Sequence, residues 1–119
     1  MKRLIVSLLL MCVAGSPRLE AHAFLQHAEP AVGSAVQTSP REVRIWFTEK
    51  IEPAFSTIYV FNASGEEVDK RDVRLDRSSQ VLLHVSLPQL QAGMYRVVWR
   101  VVSVDTHVTN GSFTFRVGQ

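Results

Sequence analysis

From residue 24 onward, hydrophobic side chains recur at every second position over long stretches, the period of an extended strand with one face buried. Val43, Ile45 and Phe47 alternate with Glu42, Arg44 and Trp46, and Val81, Leu83, Val85 and Leu87 repeat the pattern. Tyr95, Val97, Trp99 and Val101 are set against Arg96 and Arg100, and Phe113, Phe115 and Val117 against Ser112, Thr114 and Arg116. The β-branched and aromatic run Thr57 to Phe61, with Phe24 to Ala28 and Val68 to Leu75, completes a set of about seven predicted strands. Turn chemistry separates them at Pro30 and Gly33, at Pro53, from Asn62 to Gly65 and at Gly93, and Asn110-Gly111 reads as a tight turn before the closing strand. His84 falls on the face opposite Leu83, beside Leu82, and is expected to be exposed or in a minor cluster rather than a ligand. No apolar pattern of helical period persists for about ten residues. The expected fold is all-β, a small antiparallel Greek-key β-barrel or sandwich of immunoglobulin-like proportions.

The first 21 residues depart from this pattern. Lys2 and Arg3 precede an apolar run from Leu4 to Ala14, followed by a polar segment ending at Ala21, which is the layout of a secretory signal peptide. The apolar run is too short for a membrane-spanning helix. Residues 1–21 are therefore expected to be cleaved, leaving residues 22–119 as one domain beginning at His22. Ala21-His22-Ala23 is itself a cleavage signal, better than Leu19-Glu20-Ala21 by small-residue rules, and a cut after Ala23 would remove His22. The only cysteine, Cys12, lies in the leader, where Met11 occupies a place that a lipoprotein box reserves for a small residue. The mature domain thus has no disulfide, thiolate metal ligand or cysteine nucleophile.

Removing the leader also changes the charge. The whole chain carries a formal +2, but residues 22–119 hold ten basic and ten acidic residues. With no basic stripe among them, nothing points to nucleic acid. No serine occupies a recognisable nucleophile turn either.

Chemistry concentrates in Val102-Ser103-Val104-Asp105-Thr106-His107. In extended backbone, residues two apart share a face, so Asp105 and His107 would present a carboxylate and an imidazole together. A D-x-H triplet alone is usually polar surface. A histidine at a mature N-terminus adds more, because its free amine and its ring nitrogen can chelate one metal. His22, Asp105 and His107 would then supply three nitrogens and one oxygen, a set that favours Cu(II), with Zn(II) preferring a tetrahedron.

The mature chain resembles the CopC family of periplasmic copper-binding proteins over nearly its whole length. The likeness is carried by His22-Ala23-Phe24-Leu25, Glu29 to Ser34, Val43 to Glu49, Leu90 to His107 and Gly111 to Val117. It implies a Greek-key β-barrel binding one Cu(II) per chain through His22, by amine and ring, with Asp105 and His107. It also implies Glu49 near the copper as an orienting group rather than a ligand. Some members carry a methionine-rich loop with a separate Cu(I) site. Asn62 to Arg77 contains no methionine, and Met94 is the only one in the mature domain, so no such site is expected. His27 stands where the family more often has a small polar residue, and is read as exposed or accessory.

The resemblance implies a non-enzymatic periplasmic carrier or buffer in copper homeostasis or resistance, expected to pass the ion to an inner-membrane transporter or another carrier. Two alternatives stay open. One is a metal-free exported immunoglobulin-like interaction module. The other, weaker, is a copper oxidase of the histidine-brace type, in which Asp105 would occupy a position that oxygen activation needs open.

Overall fold

Among the described residues, alternating burial is realised in eight strands, with one 3-10 turn beside them. The structure, a computed structural model, describes residues 22–118, so the predicted leader lies outside the described residues. The strands are β1 (Leu25–Glu29), β2 (Ala35–Val36), β3 (Glu42–Phe47), β4 (Thr57–Phe61), β5 (Arg74–Asp76), β6 (Ser79–Ser86), β7 (Gly93–Val102) and β8 (Val108–Val117). They form two four-stranded sheets, ordered β1-β3-β6-β5 and β2-β8-β7-β4. All pairings are antiparallel except β2 with β8, a parallel pair of two residues that the sequence reading did not include.

The alternating positions point between the sheets. Val43, Ile45, Val60, Leu83, Val85, Val97, Val101 and Phe115 are fully excluded from solvent, and Phe47 and Ile58 nearly so. Phe47 meets Trp99 edge-on across the sandwich, with ring centroids 5.2 Å apart. Tyr95 stacks on Phe115 and satisfies its hydroxyl at the Gln91 carbonyl, 2.7 Å away. Among the described residues no helix is long and apolar enough to cross a membrane.

Two expectations are corrected. Asn110-Gly111 makes no turn: both residues lie inside β8, where Asn110 pairs with Arg100 and Gly111 with Trp99. The glycine is needed there because a Cβ would sit 2.6 Å from Trp99 Cζ2, so the indole occupies the space a side chain would take. The strand expected over Val68 to Leu75 shrinks to β5, which begins at Arg74. Ahead of it the chain crosses the free edge of β4, where Val68 N–H donates to the Val60 carbonyl and the buried Asp69 carboxylate accepts from Val60 N–H at 2.7 Å. An edge strand is thereby partly closed by a side chain rather than by another strand.

His84 takes the second of the two settings expected of it, a minor cluster. Its side chain is 12% exposed, with Nδ1 2.7 Å from Glu42 Oε1 and Nε2 3.7 Å from Asp76 Oδ1. It links β3, β6 and β5 on the outer face of their sheet. His27, by contrast, is exposed, tilted against Trp46 at 4.9 Å.

Candidate metal centre

The β7–β8 hairpin closes at one end of the sandwich through residues 103–107. Asp105 does not lie in extended backbone, which corrects the basis on which it was paired with His107. Thr106 N–H donates to the Ser103 carbonyl at 2.8 Å, and Thr106 adopts a positive φ of 72°. The resulting turn folds the carboxylate back, leaving Asp105 Oδ1 3.5 Å from His107 Nδ1. Ser103, only 1% exposed, anchors the turn: its hydroxyl donates to Asp105 Oδ1 and accepts from His107 N–H at 3.2 Å. That hydroxyl, opposed by partial burial and helped by the His107 ring, holds the Asp105 carboxyl below the usual aspartate range.

His22 arrives from the other sheet by way of two threonines. The Thr48 hydroxyl, just past β3, donates to the His22 carbonyl at 3.2 Å and accepts from Phe24 N–H at 2.9 Å. The Thr109 hydroxyl on β8 donates to the carbonyl of Ala23, a residue fully excluded from solvent. Residues 22–24 are thus tied to both sheets. The His22 ring stacks on His107 with centroids 4.5 Å apart and planes 25° from parallel, and on its other neighbour Phe24 at 6.0 Å.

The three candidate ligands therefore converge without forming a finished cage. Among the described residues no group of three His, Cys, Asp or Glu side chains is placed to hold a metal ion. The reason is geometric. Imidazole lone pairs lie in the ring plane, and in a near-parallel stack they run side by side instead of meeting at one point. Rotation of one ring would redirect its nitrogen. In addition, the nitrogen of residue 22 in the uncleaved chain is a peptide nitrogen and not an amine.

Glu49 is half-buried, next to Thr48. The segment after it runs along the hairpin, with Val104 N–H donating to the Lys50 carbonyl at 3.0 Å and Glu52 N–H to the Val102 carbonyl at 2.8 Å. A cavity of about 540 Å³ lined by Tyr59, Glu67, Asp69 and Arg71 shares no residue with this end of the molecule. Sequence reasoning missed Ser103, Thr48 and Thr109, because serine and threonine in strands carry no signal until their partners are known.

A two-sheet sandwich with a histidine pair and a carboxylate at one end defines a class of small β-sandwich proteins with a candidate metal centre. The CopC domain model matches residues 25–118, and the chain belongs to the CopC family of copper-binding proteins. It is 35% identical over 103 residues to Protein YobA of Escherichia coli K12, covering 86% of this chain and 83% of that one. It is 31% identical over 100 residues to the copper transport protein CutJ of Bacillus subtilis, covering 83% of this chain but only 18% of CutJ. The crystal structure of CopC from Methylosinus trichosporium OB3b superposes with a TM-score of 0.76 at 32% identity, covering 81% of this chain and 93% of that one.

Proposed function

We propose that the chain is exported to the periplasm, cleaved between Ala21 and His22, and there carries one Cu(II) as cargo bound by His22, Asp105 and His107. The observation that carries this reading is the approach of His22 to the D-x-H turn, two segments 85 residues apart in sequence brought to ring contact. Cleavage frees the amine of His22, which with its ring nitrogen gives one half of the donor set; Asp105 and His107 give the other. Full burial of Ala23 supports this cut over one after Ala23, which would strip a packed residue from the core. Glu49 orients a ligand or a water beside the ion. No methionine-rich Cu(I) site accompanies it.

The protein acts as a carrier or buffer, not an enzyme, and its partner is an inner-membrane copper transporter or another carrier. CutJ supports this pairing, since there a stretch like this chain is one part of a longer copper transport protein. Titration of the mature protein with Cu(II) at neutral pH tests the reading. The expected result is one tight equivalent, weakened by His107→Ala and by retaining Ala21 ahead of His22. Protonation competes with the metal at every donor, so affinity should fall as pH drops through roughly 6 to 4. Absence of a tight equivalent, or binding indifferent to both changes, refutes it.

A further inference from the structure

We propose that Ser103 is the positioning residue of this site: its buried hydroxyl holds the Asp105 carboxylate beside the His107 ring, so that it meets the metal in one fixed orientation. The inference rests on the Cu(II) reading above and adds to it a residue that is not itself a ligand. Three observations support it. Ser103 is 1% exposed and pinned in the sandwich by a bridge to Ile51, so its hydroxyl has little freedom to turn away. Its hydroxyl has two acceptors in reach, and Asp105 Oδ1 is closer than the His107 carbonyl, which lies 3.3 Å away. Its oxygen accepts the His107 amide at 3.2 Å, and its own amide donates to the His107 carbonyl at 2.9 Å.

One side chain therefore fixes both halves of the D-x-H turn, Asp105 through its carboxylate and His107 through its backbone. Two consequences follow. An Asp105 side chain free to sample rotamers would have to be ordered when the metal binds, and the Ser103 bond makes that ordering a property of the folded protein. The bond also sets the plane of the carboxylate, so the direction in which it offers oxygen is fixed, which suits a tetragonal Cu(II) site in which His22 and His107 supply three nitrogens.

The test is a double-mutant cycle read by Cu(II) affinity and by the electron paramagnetic resonance spectrum. Ser103→Ala should lower affinity about 10- to 100-fold and alter the spectrum, the usual effect of losing a ligand's orienting partner. In an Asp105→Ala background the same change should cost much less, only what the bond to the His107 amide contributes, because Ser103 acts mainly through Asp105. Ser103→Thr, which keeps the hydroxyl, should restore binding. In the metal-free protein, Ser103→Ala should shift the side-chain carboxyl carbon resonance of Asp105.

An equal loss in both backgrounds would mean that Ser103 only holds the backbone, and would overturn the proposal. So would an unchanged affinity and spectrum in Ser103→Ala. Should Ser103→Ala fail to fold, the copper-loaded unaltered protein decides: a ligating Asp105 with the Ser103 hydroxyl still bonded to its carboxylate supports it, and a Ser103 hydroxyl turned away from a ligating Asp105 overturns it. If the unaltered protein takes up no copper, the Cu(II) reading itself has failed.

Discussion

Gly111→Ala adds one methyl group at the centre of β8, and the structure says what it meets. The new Cβ would lie 2.6 Å from Trp99 Cζ2, 2.9 Å from Cε2 and 3.2 Å from Nε1. Ordinary carbon–carbon contact is about 3.5–4.0 Å, so the indole must retreat by roughly 1 Å. It has little room to do so: Trp99 is 6% exposed and stands edge-on to Phe47, itself 1% exposed. Overpacking of this kind costs about 1–3 kcal/mol. For a domain of this size 1 kcal/mol moves the melting temperature by about 4–8 °C, so a 2 kcal/mol cost predicts a fall of about 8–16 °C. Thermal unfolding followed by tryptophan emission and near-ultraviolet circular dichroism measures both the loss of stability and the displaced ring. Asn110→Thr is the control. Asn110 is exposed within the strand, where a β-branched residue is neutral or favourable, whereas in a tight hairpin turn it would be damaging. Trp99→Phe should relieve much of the Gly111→Ala penalty, since the atoms in conflict belong to the six-membered part of the indole and its nitrogen. A Gly111→Ala melting temperature within about 2 °C of the parent, with an unchanged aromatic spectrum, would refute the reasoning.

Two further outcomes follow from the polar network. Thr109→Val keeps the shape of the side chain but leaves the Ala23 carbonyl without its hydroxyl donor. It should cost about 1–3 kcal/mol in the metal-free protein, read as a lowered denaturation midpoint; an unchanged midpoint would show that this clamp does not hold residues 22–24. Acid stability tests the carboxylates. Partial burial alone would raise Asp72, but hydrogen bonds from the Ser86 hydroxyl and amide outweigh it and hold Asp72 below its ordinary value, as the Ser78 hydroxyl and amide do for Asp76. A depressed folded-state pKa contributes stability that is present above the unfolded value of about 3.9 and lost as pH falls through the folded one. Urea midpoints measured from pH 7 to pH 2 should therefore drop most steeply below about pH 4. Asp72→Asn should be less stable than the parent at neutral pH and lose less on acidification; parallel curves for the two proteins would contradict the assignment.

The parts of the fold legible in the sequence were those fixed by a local period. Val43, Ile45 and Phe47, or Tyr95, Val97, Trp99 and Val101, must share a face once the backbone is extended, and burying that face against a second sheet is the available way to remove it from water. The parts that were not legible depend on partners distant in sequence. Asn110-Gly111 has the composition of a tight turn, and only Trp99, across the sheet on β7, reveals the glycine as space for an indole. Val68 to Leu75 has the composition of a strand, yet the Asp69 carboxylate bonding to Val60 draws much of it across an edge instead. The pairing of β2 with β8 involves two residues, too few to leave a pattern.

The candidate site divides in the same way. Asp105 and His107 could be read from their spacing, although a turn at Thr106, not extended backbone, brings their side chains to 3.5 Å. The hydroxyls that fix the arrangement, Ser103 toward Asp105 and Thr48 and Thr109 toward residues 22 and 23, belong to residue types ordinary in any strand, so the sequence could not rank them. The N-terminal half of the proposed donor set was the least determined, because the amine it needs exists only after a peptide bond is broken, and by small-residue rules alone the cut after Ala23 fits the predicted leader better. Here the fold supplies an argument the sequence lacked. Ala23 is fully buried and bonded to the far sheet, while Phe24, the next residue, is 56% exposed. A cut after Ala23 would give up packing and a hydrogen bond and leave an exposed phenylalanine at the terminus. A cut before His22 would leave both threonine clamps in place and release the amine beside the His107 ring.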